Sequence, residues 1–276
     1  MKKIIVNFCP TGMVPNKRET PHVPISVAEI VEQVHEAYEL GITITHLHAR
    51  DDNAIPTYRK SVYRNIFESV RKHCPDLVIC GSTSGRNFPE FEKRSEVIEL
   101  KPDMCSLTLS SLNFPKQSSL NAPDIIQALV VKMNEYGVKP ELECFDLGMI
   151  NYGKYLIKKQ LIEGRSYWNL IFGNIAGMQA VESHFKLALA DIPQDDYVGF
   201  GGIGGYQLPT FEWAILNDVG VRGGLEDNIW WNKEKNELAT NIQLIKHIHT
   251  LIKGEGKEFM TAKEFGDEGF YNTKRN

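Results

Sequence analysis

The 276-residue sequence lacks the features that would point to a membrane or a nucleic acid as its partner. It contains no run of about 18 apolar residues, so nothing in it predicts a membrane-spanning helix. It also has no strong excess of charge of either sign, because the formal net charge is only −4. This balance gives no support for binding to nucleic acid or to an anionic membrane surface. A small molecule is therefore the expected partner.

Cysteine is scarce and shows no pairing pattern. The chain has five cysteines, an odd number, and none lies in a Cys-x-x-Cys spacing. A disulfide framework or a structural zinc cluster would need regular pairs, so the pattern predicts reduced thiols in a cytoplasmic protein. The amino-terminal MKKIIVNFCPTGM has too short an apolar run for a secretory signal, and it predicts a first strand instead.

Short apolar runs alternate with amphipathic helical patterns along the whole chain. In the clearest helix, Ser26 and Glu29 form a predicted capping box and Gly41 follows the last turn. Strands separated by helices predict a parallel sheet. The length favours a (β/α)8 TIM barrel over an open doubly wound sheet, as one domain over residues 1–276. The charged tail from Gly254 onward is expected to wrap the outside. Strands are predicted at 4–8, 42–48, 77–80, 104–107, 141–145, 168–172, 197–200 and 220–225.

Polar side chains recur just after these predicted strands. A barrel gathers the carboxyl ends of all its strands at one mouth, which would bring such residues together. Polar residues follow strands in any α/β protein, however, so this observation alone does not decide the matter. The residues are Thr11, His46, His48, Ser82, Ser106, Glu143, Asn174, Gly204, Glu226 and Asp227.

Two histidines lie one residue apart in the run ITITHLHARDD. Residues i and i+2 of a strand face the same side, so His46 and His48 would present both imidazoles to one point. The chain has a second pair of this spacing, His247 and His249, but it lies in a helical run. There, i and i+2 are about 200° apart and cannot share an ion. The first pair therefore predicts a metal site. Asp51 is expected to orient an imidazole or to form a surface ion pair.

A carboxylate would complete an open three-ligand metal site. Glu226 and Asp227 follow the eighth predicted strand, which in a closed barrel pairs with the first strand, next to the second. Because they are adjacent, at most one of them is expected to face a given side. The alternative is that both acids cap the following helix.

Five segments in this order resemble the beta-keto acid cleavage enzymes: HLHARD, STSGR, KPDMCSLTLSSLNF, ELECFDLGMI and VRGGLEDN. The founding member of this family is the 3-keto-5-aminohexanoate cleavage enzyme. The resemblance covers nearly the whole chain and implies a (β/α)8 barrel, usually a homotetramer, with a catalytic zinc. It also implies a retro-Claisen acyl transfer, in which a beta-keto acid and acetyl-CoA give acetoacetate and a new acyl-CoA.

The same resemblance implies a metal site and a base. It makes His46, His48 and Glu226 the zinc ligands and Asp227 the base, with Arg222 as the cationic neighbour of that base. Burial would raise the pKa of Asp227, whereas Arg222 and the zinc would lower it, and the residues alone leave the outcome open. Arg222 has the alternative of a purely structural ion pair.

The resemblance implies substrate contacts at Ser82 and at Ser106 (where the founding enzyme has Thr). It makes Glu143 a catalytic acidic group that faces the site. Ser82 has the alternative of capping a helix, and Glu143 that of pairing with a charge within the barrel. In GFGGIGG, exposed amides around Gly204 are predicted to hold substrate or the CoA thioester, with ligand-free turns as the alternative.

The sequence departs from the family pattern at two positions. Val14 stands where the founding enzyme has a Glu that holds the ammonium group of its substrate, so a neutral or apolar tail, or recognition by another group, is predicted. Gly205 stands where many relatives carry Arg, which weakens any inference about CoA contacts in that loop. Two other functions stay open: a metal-dependent aldolase or hydrolase that works without CoA, and a metal-binding relic of the fold.

Overall fold

A computed structural model describes residues 3–275; positions 1, 2 and 276 of the predicted domain lie outside the described residues. Eight strands pair in parallel in chain order, and the eighth pairs with the first to close a barrel. The predicted (β/α)8 TIM barrel is confirmed. The strands are β1 Val6–Phe8, β2 Ile44–Leu47, β3 Val78–Gly81, β4 Met104–Thr108, β5 Lys139–Cys144, β6 Tyr167–Phe172, β7 Tyr197–Gly202 and β8 Gly220–Gly223.

Helices surround the barrel, and none within residues 3–275 is long and apolar enough to cross a membrane. They are α1 Val27–Leu40, α2 Lys60–His73, α3 Phe91–Arg94, α4 Pro123–Tyr136, α5 Leu147–Lys158, α6 Glu182–Ala190, α7 Gln207–Leu216, α8 Asn241–Gly254 and α9 Ala262–Phe265. Two short hairpins follow β2 and β4, one pairing Ala49–Arg50 with Pro56–Thr57 and the other Leu112–Asn113 with Ser118–Ser119.

Helix α1 forms as its sequence predicts. The side chains of Ser26 and Glu29 make the reciprocal capping box, and Gly41 ends the helix with a φ of 101°. The left-handed conformation at Gly41 favours glycine, and a Cβ there would also lie 2.6 Å from the Phe259 ring. Ile30, Val34 and Ala37 on its apolar face are buried. Local signals are therefore sufficient for this element.

Barrel closure places the two halves of the predicted metal site on either side of β1. Asn7 of β1 pairs with Arg222 of β8 on one side and with Ile44 of β2 on the other. Adjacent strands lie about 4.8 Å apart, so the ends of β8 and β2 are within reach of each other across the mouth. The predicted proximity of the acids to the histidines is confirmed.

The charge of the carboxyl-terminal tail predicted that it wraps the outside of the barrel, and this prediction is wrong. The tail crosses the amino-terminal end of the barrel, where Met260 N–H donates to the Ile4 carbonyl at 2.7 Å. Phe265 and Phe270 stack at 4.0 Å and join a buried cluster with the first residues of several strands. The tail carries large aromatic side chains among its charges, and their burial outweighs the charge pattern. All five cysteines are free and buried.

Candidate active site

The two imidazoles after β2 converge as the spacing predicts. His46 Nε2 lies 3.2 Å from His48 Nε2, although the strand ends at Leu47. Both residues are buried, with exposed fractions of 1% and 7%. The helical pair behaves differently: His249 Nε2 contacts the Gly41 carbonyl at 2.9 Å, and the His247 ring packs against Trp231.

Glu226 comes to the histidines from the segment that follows β8. Its Oε1 lies 3.3 Å from His48 Nε2, and donor atoms of His46, His48 and Glu226 all lie within 4.8 Å of one another. Its Oε2 is buried without a hydrogen-bond partner in the described chain. Two imidazoles, a carboxylate and a vacant buried acceptor fit a divalent ion such as zinc, with a position left for substrate.

Glycine at position 12 makes this approach of Glu226 possible. Gly12 adopts a φ of 63°, and a Cβ there would lie 2.5 Å from Glu226 Cγ. Arg50 holds this loop: its Nη2 donates to the carbonyls of Gly12 at 2.8 Å and Pro15 at 3.0 Å. Arg50 is thus buried against backbone carbonyls and does not form the surface ion pair suggested by its neighbour Asp51.

Glu141 orients His46 from inside the barrel. His46 Nδ1 lies 2.7 Å from Glu141 Oε2, so Nε2 faces the mouth. Such a carboxylate fixes the tautomer and the ring orientation of a metal-binding histidine. The suggestion that Asp51 does this is wrong, because its Oδ1 accepts two backbone N–H groups in its own turn. Alternation in ELEC, where Glu141 and Glu143 share a face, was the signal that could have found Glu141.

A second donor set, His46, Cys80 and Glu141, is equally compact. Burial raises the pKa of the Cys80 thiol well above its usual range, and Glu141 adds to that effect. The donor atoms of this set already contact one another, because Glu141 Oε2 lies 2.7 Å from His46 Nδ1 and 3.3 Å from Cys80 Sγ. The set at the mouth fits a metal ion better.

The pKa values of the two histidines shift in opposite directions. Burial alone would lower the pKa of His46, but the carboxylates of Glu141 and Glu226 outweigh it and raise the pKa to about 9. Burial lowers the pKa of His48, against the opposing effect of Glu226. Burial would raise the pKa of Glu226, yet His48 and Arg222 hold it well below its usual range.

Arg222 is buried among three carboxylates. Its Nε donates to Asp227 Oδ2 at 2.9 Å, its Nη2 donates to Glu226 Oε1 at 2.7 Å, and its Nη1 lies 3.7 Å from Glu143 Oε1. Glu226 and Asp227 thus both face Arg222, contrary to the expectation that only one would. They follow the end of β8, where strand alternation no longer applies. Gly201 in β7 makes room, since a Cβ there would lie 2.9 Å from Arg222 Cδ.

Burial decides the direction of the Asp227 pKa. It raises the pKa above the usual range, with help from Glu226 and against the lowering effect of Arg222. Burial also raises the pKa of Glu143, against the opposing effect of His46. Thr108 Oγ1 donates to Glu143 Oε2 at 2.7 Å.

A cavity of about 520 Å³ opens at this mouth. Eight of the predicted site residues line this cavity. One of them, Val14, is 58% exposed. Ser82 does not cap a helix; its Oγ accepts the N–H of Ser84 at 3.3 Å. The predicted site residues on the wall are Val14, His46, His48, Ser82, Glu143, Arg222, Glu226 and Asp227.

Two predicted contacts are not part of this wall as the structure describes it. Ser106 is buried and its Oγ accepts the N–H of Thr83 at 3.1 Å, whereas Thr108, two residues further along β4, lines the cavity. The N–H of Gly204 donates to the Asp227 carbonyl at 2.8 Å, so this amide is already used. Gly204 supports the backbone of Asp227 and does not offer a free donor to a ligand. The cavity also has lining residues that the sequence did not single out, among them Arg86, Phe114 and Lys116.

Comparisons with known proteins show the family of the chain and agree with its fold. The family model of the beta-keto acid cleavage enzyme matches residues 3–266. The 3-oxoadipate:acetyl-CoA acetyltransferase of Cupriavidus necator is 33% identical over 264 residues, covering 94% of this chain and 92% of that protein. The 3-keto-5-aminohexanoate cleavage enzyme of Acetoanaerobium sticklandii is 31% identical over 265 residues, covering 96% and 97%. A solved ternary complex of ObcA with a C4-CoA adduct and oxalate shares the fold, with a TM-score of 0.77 at 18% identity over 90% of this chain and 67% of that one.

Proposed function

Because the chain belongs to the beta-keto acid cleavage enzyme family, we propose that it catalyses acyl exchange between a beta-keto acid and acetyl-CoA. The products are acetoacetate and the CoA thioester of the remaining acyl group. The observation that carries the proposal is the convergence of a metal donor set and a buried acid–arginine pair on one cavity.

We expect zinc to be held by His46, His48 and Glu226. When bound there, zinc would supply Lewis-acid polarisation to the keto and carboxylate oxygens of the substrate. The fit rests on the converging donor atoms and on the free buried Oε2 of Glu226. Glu141 would keep His46 Nε2 directed at the ion.

Asp227 is the group we assign to proton transfer. Acetoacetate requires a new bond between C2 of the beta-keto acid and the acetyl carbonyl carbon, so C2 must first lose a proton. Attack of C2 on the acetyl carbonyl breaks the acetyl C–S bond and releases the CoA thiolate. The thiolate then adds to C3, the C2–C3 bond breaks so that the C3 acyl group stays on CoA, and C2 regains a proton. A carboxylate whose pKa is raised by burial is a stronger base than an exposed one. Arg222 keeps Asp227 in one orientation through two hydrogen bonds.

The remaining wall residues have positioning roles in this proposal. The Ser82 hydroxyl is a neutral donor for the substrate carboxylate and leaves the metal charge uncancelled. Glu143 is held by Thr108 and faces the same space. By the family resemblance we further expect a homotetramer in the cytoplasm, which light scattering and cell fractionation would test.

Isotope labelling tests the reaction against its rivals. With acetyl-CoA labelled in the acetyl group, acetoacetate should carry the label at C3 and C4, and only when a beta-keto acid is also supplied. An aldolase or hydrolase would consume the keto acid without acetyl-CoA and would give no labelled acetoacetate. An Asp227→Asn protein is the control for contaminating activity.

A further inference from the structure

Arg86 is a cation on the wall of the active-site cavity without an anionic partner. Its guanidinium carbon lies 3.7 Å from the centroid of the Phe114 ring. Its Nε is buried without a hydrogen-bond partner, and no carboxylate of residues 3–275 lies within 4.0 Å of its side-chain nitrogens. Cation–π stacking with Phe114 holds the plane of the guanidinium but leaves its N–H donors unused.

Three arginines among residues 3–275 are more deeply buried than the half-buried Arg86, and each donates hydrogen bonds to groups of the chain itself. Arg94 donates to the Thr83 carbonyl and to Asn121 Oδ1, both at 2.8 Å. Arg50 binds backbone carbonyls and Arg222 binds carboxylates. A half-buried cation without an anionic partner is costly, and burial lowers the pKa of Arg86. Arg86, which has no anionic partner among residues 3–275, therefore lies where a ligand would enter.

We propose that Arg86 binds an anionic group on the tail of the substrate, so that the preferred substrates are beta-keto acids with a second carboxylate. This inference rests on the proposed function. The guanidinium fork matches a carboxylate in a two-point contact. Val14, on the same wall, offers no charge to a cationic tail.

A phosphate of CoA is the other source of anionic oxygens. The observations favour the substrate tail, because Arg86 lines the same 520 Å³ cavity as His46 and Glu226. A short dicarboxylate whose keto end reaches the metal donor set would have its far end within that cavity. The exposed Lys116, on the hairpin at the rim, is better placed for groups outside it.

The test compares 3-oxoadipate with 3-oxohexanoate, in which a methyl group replaces the distal carboxylate, and with cationic 5-amino-3-oxohexanoate. The native enzyme should have its highest kcat/KM with 3-oxoadipate. Arg86→Met should lower that value by about 10- to 100-fold, the range for a charged hydrogen bond, and leave 3-oxohexanoate little changed. Arg86→Lys should recover part of the loss. Arg64→Met, which removes an exposed charge from α2, is the control and should change nothing.

Three results would overturn the inference while leaving the proposed function intact. They are a native preference for the neutral or cationic acid, an equal loss with all three acids in Arg86→Met, and a raised KM for acetyl-CoA whichever acid is used. A binding measurement needs no turnover: calorimetry should show adipate binding more tightly than hexanoate to the native protein, and Arg86→Met should abolish the difference. Equal affinity of the native protein for both would refute the role of Arg86. If adipate is preferred but acetoacetate never forms, only the proposed reaction fails.

Discussion

His46 and Glu141 meet through a 2.7 Å contact between Nδ1 and Oε2 that is wholly enclosed by the barrel. The contact links the tautomer of one proposed metal ligand to a carboxylate that never reaches the mouth. Two asparagines donate to the other oxygen of Glu141, so its position is fixed as well. The proposed metal site thus depends on a layer of the barrel beneath it.

Replacement of Glu141 by Gln should weaken zinc binding by about 10- to 100-fold, as is usual for such orienting carboxylates. The pH dependence should change too. With a His46 pKa of about 9, the metal-free native protein must release a proton when zinc binds below that pH, so affinity should rise up to about pH 9. In Glu141→Gln this rise should end at a lower pH. Zinc titration at several pH values measures both effects.

The stability of the metal-free protein should fall as pH rises, whereas its zinc affinity should rise. Because folding raises the pKa of His46, its pair with Glu141 stabilises the fold fully below the ordinary pKa of about 6.5. That contribution is lost as pH rises through about 9.

Glu143→Gln, two residues along the same strand, is the matched control for the zinc titration, and the rise of zinc affinity up to about pH 9 should survive in it. A proton release that is unchanged in Glu141→Gln would contradict the assignment.

The two His-x-His pairs of the chain give a controlled test of the metal ligands. His46→Ala and His48→Ala should each abolish tight zinc binding, because each removes one of only three protein donors. His247→Ala should retain zinc, since His247 lies on α8 and its ring packs against Trp231. Elemental analysis of dialysed protein measures the content. Zinc retained by the His46→Ala protein would exclude this site.

The adjacent acids after β8 should have separable effects. Asp227→Asn should keep zinc but lose about 10²- to 10⁴-fold in kcat, the usual contribution of a general base. Glu226→Gln should lose zinc, and with it turnover. Metal content and initial rates, measured on the same preparations, distinguish the two. Turnover close to native in Asp227→Asn would remove Asp227 from the mechanism.

Gly12 and Gly256 form a matched pair of left-handed glycines, with φ values of 63° and 64°. Alanine at either position should cost about 1–2 kcal/mol through backbone strain. Only at Gly12 would the new Cβ meet Glu226, at 2.5 Å, whereas a Cβ at Gly256 would meet nothing within 4 Å among the described residues. Gly12→Ala should therefore weaken zinc binding and Gly256→Ala should not. Thermal unfolding and zinc titration measure the two effects, and equal zinc affinity would contradict the packing argument.

The fold was predictable because its signals are local. Capping at Ser26 and Glu29 and the alternation of apolar runs need only neighbouring residues. Closure of the barrel then brought Glu226 to His48, although they are far apart in the chain. Strand alternation also applies to ELEC, where it puts Glu141 on the same face as Glu143. The sequence prediction applied alternation only to the histidines and therefore did not include Glu141.

Features that depend on distant contacts were not predictable. Nothing near Arg86 in the sequence indicates that Phe114, on a separate hairpin, stacks on its guanidinium. Arg50 lies beside polar residues in the sequence, but the loop that follows β1 buries it. The charge count of the tail predicts exposure, but Phe265 and Phe270 become buried once the open end of a finished barrel is available to them.

Placement of β1 between β8 and β2 has a consequence for biosynthesis. A growing chain has both histidines early, but it cannot complete the donor set until β8 and Glu226 have been made and the last strand has joined the first. Zinc binding would therefore follow barrel closure, and the bound ion would hold the ends of β8 and β2 together on either side of β1. Because an open barrel has only part of the donor set, zinc would bind the closed barrel preferentially and should slow its opening where β8 meets β1.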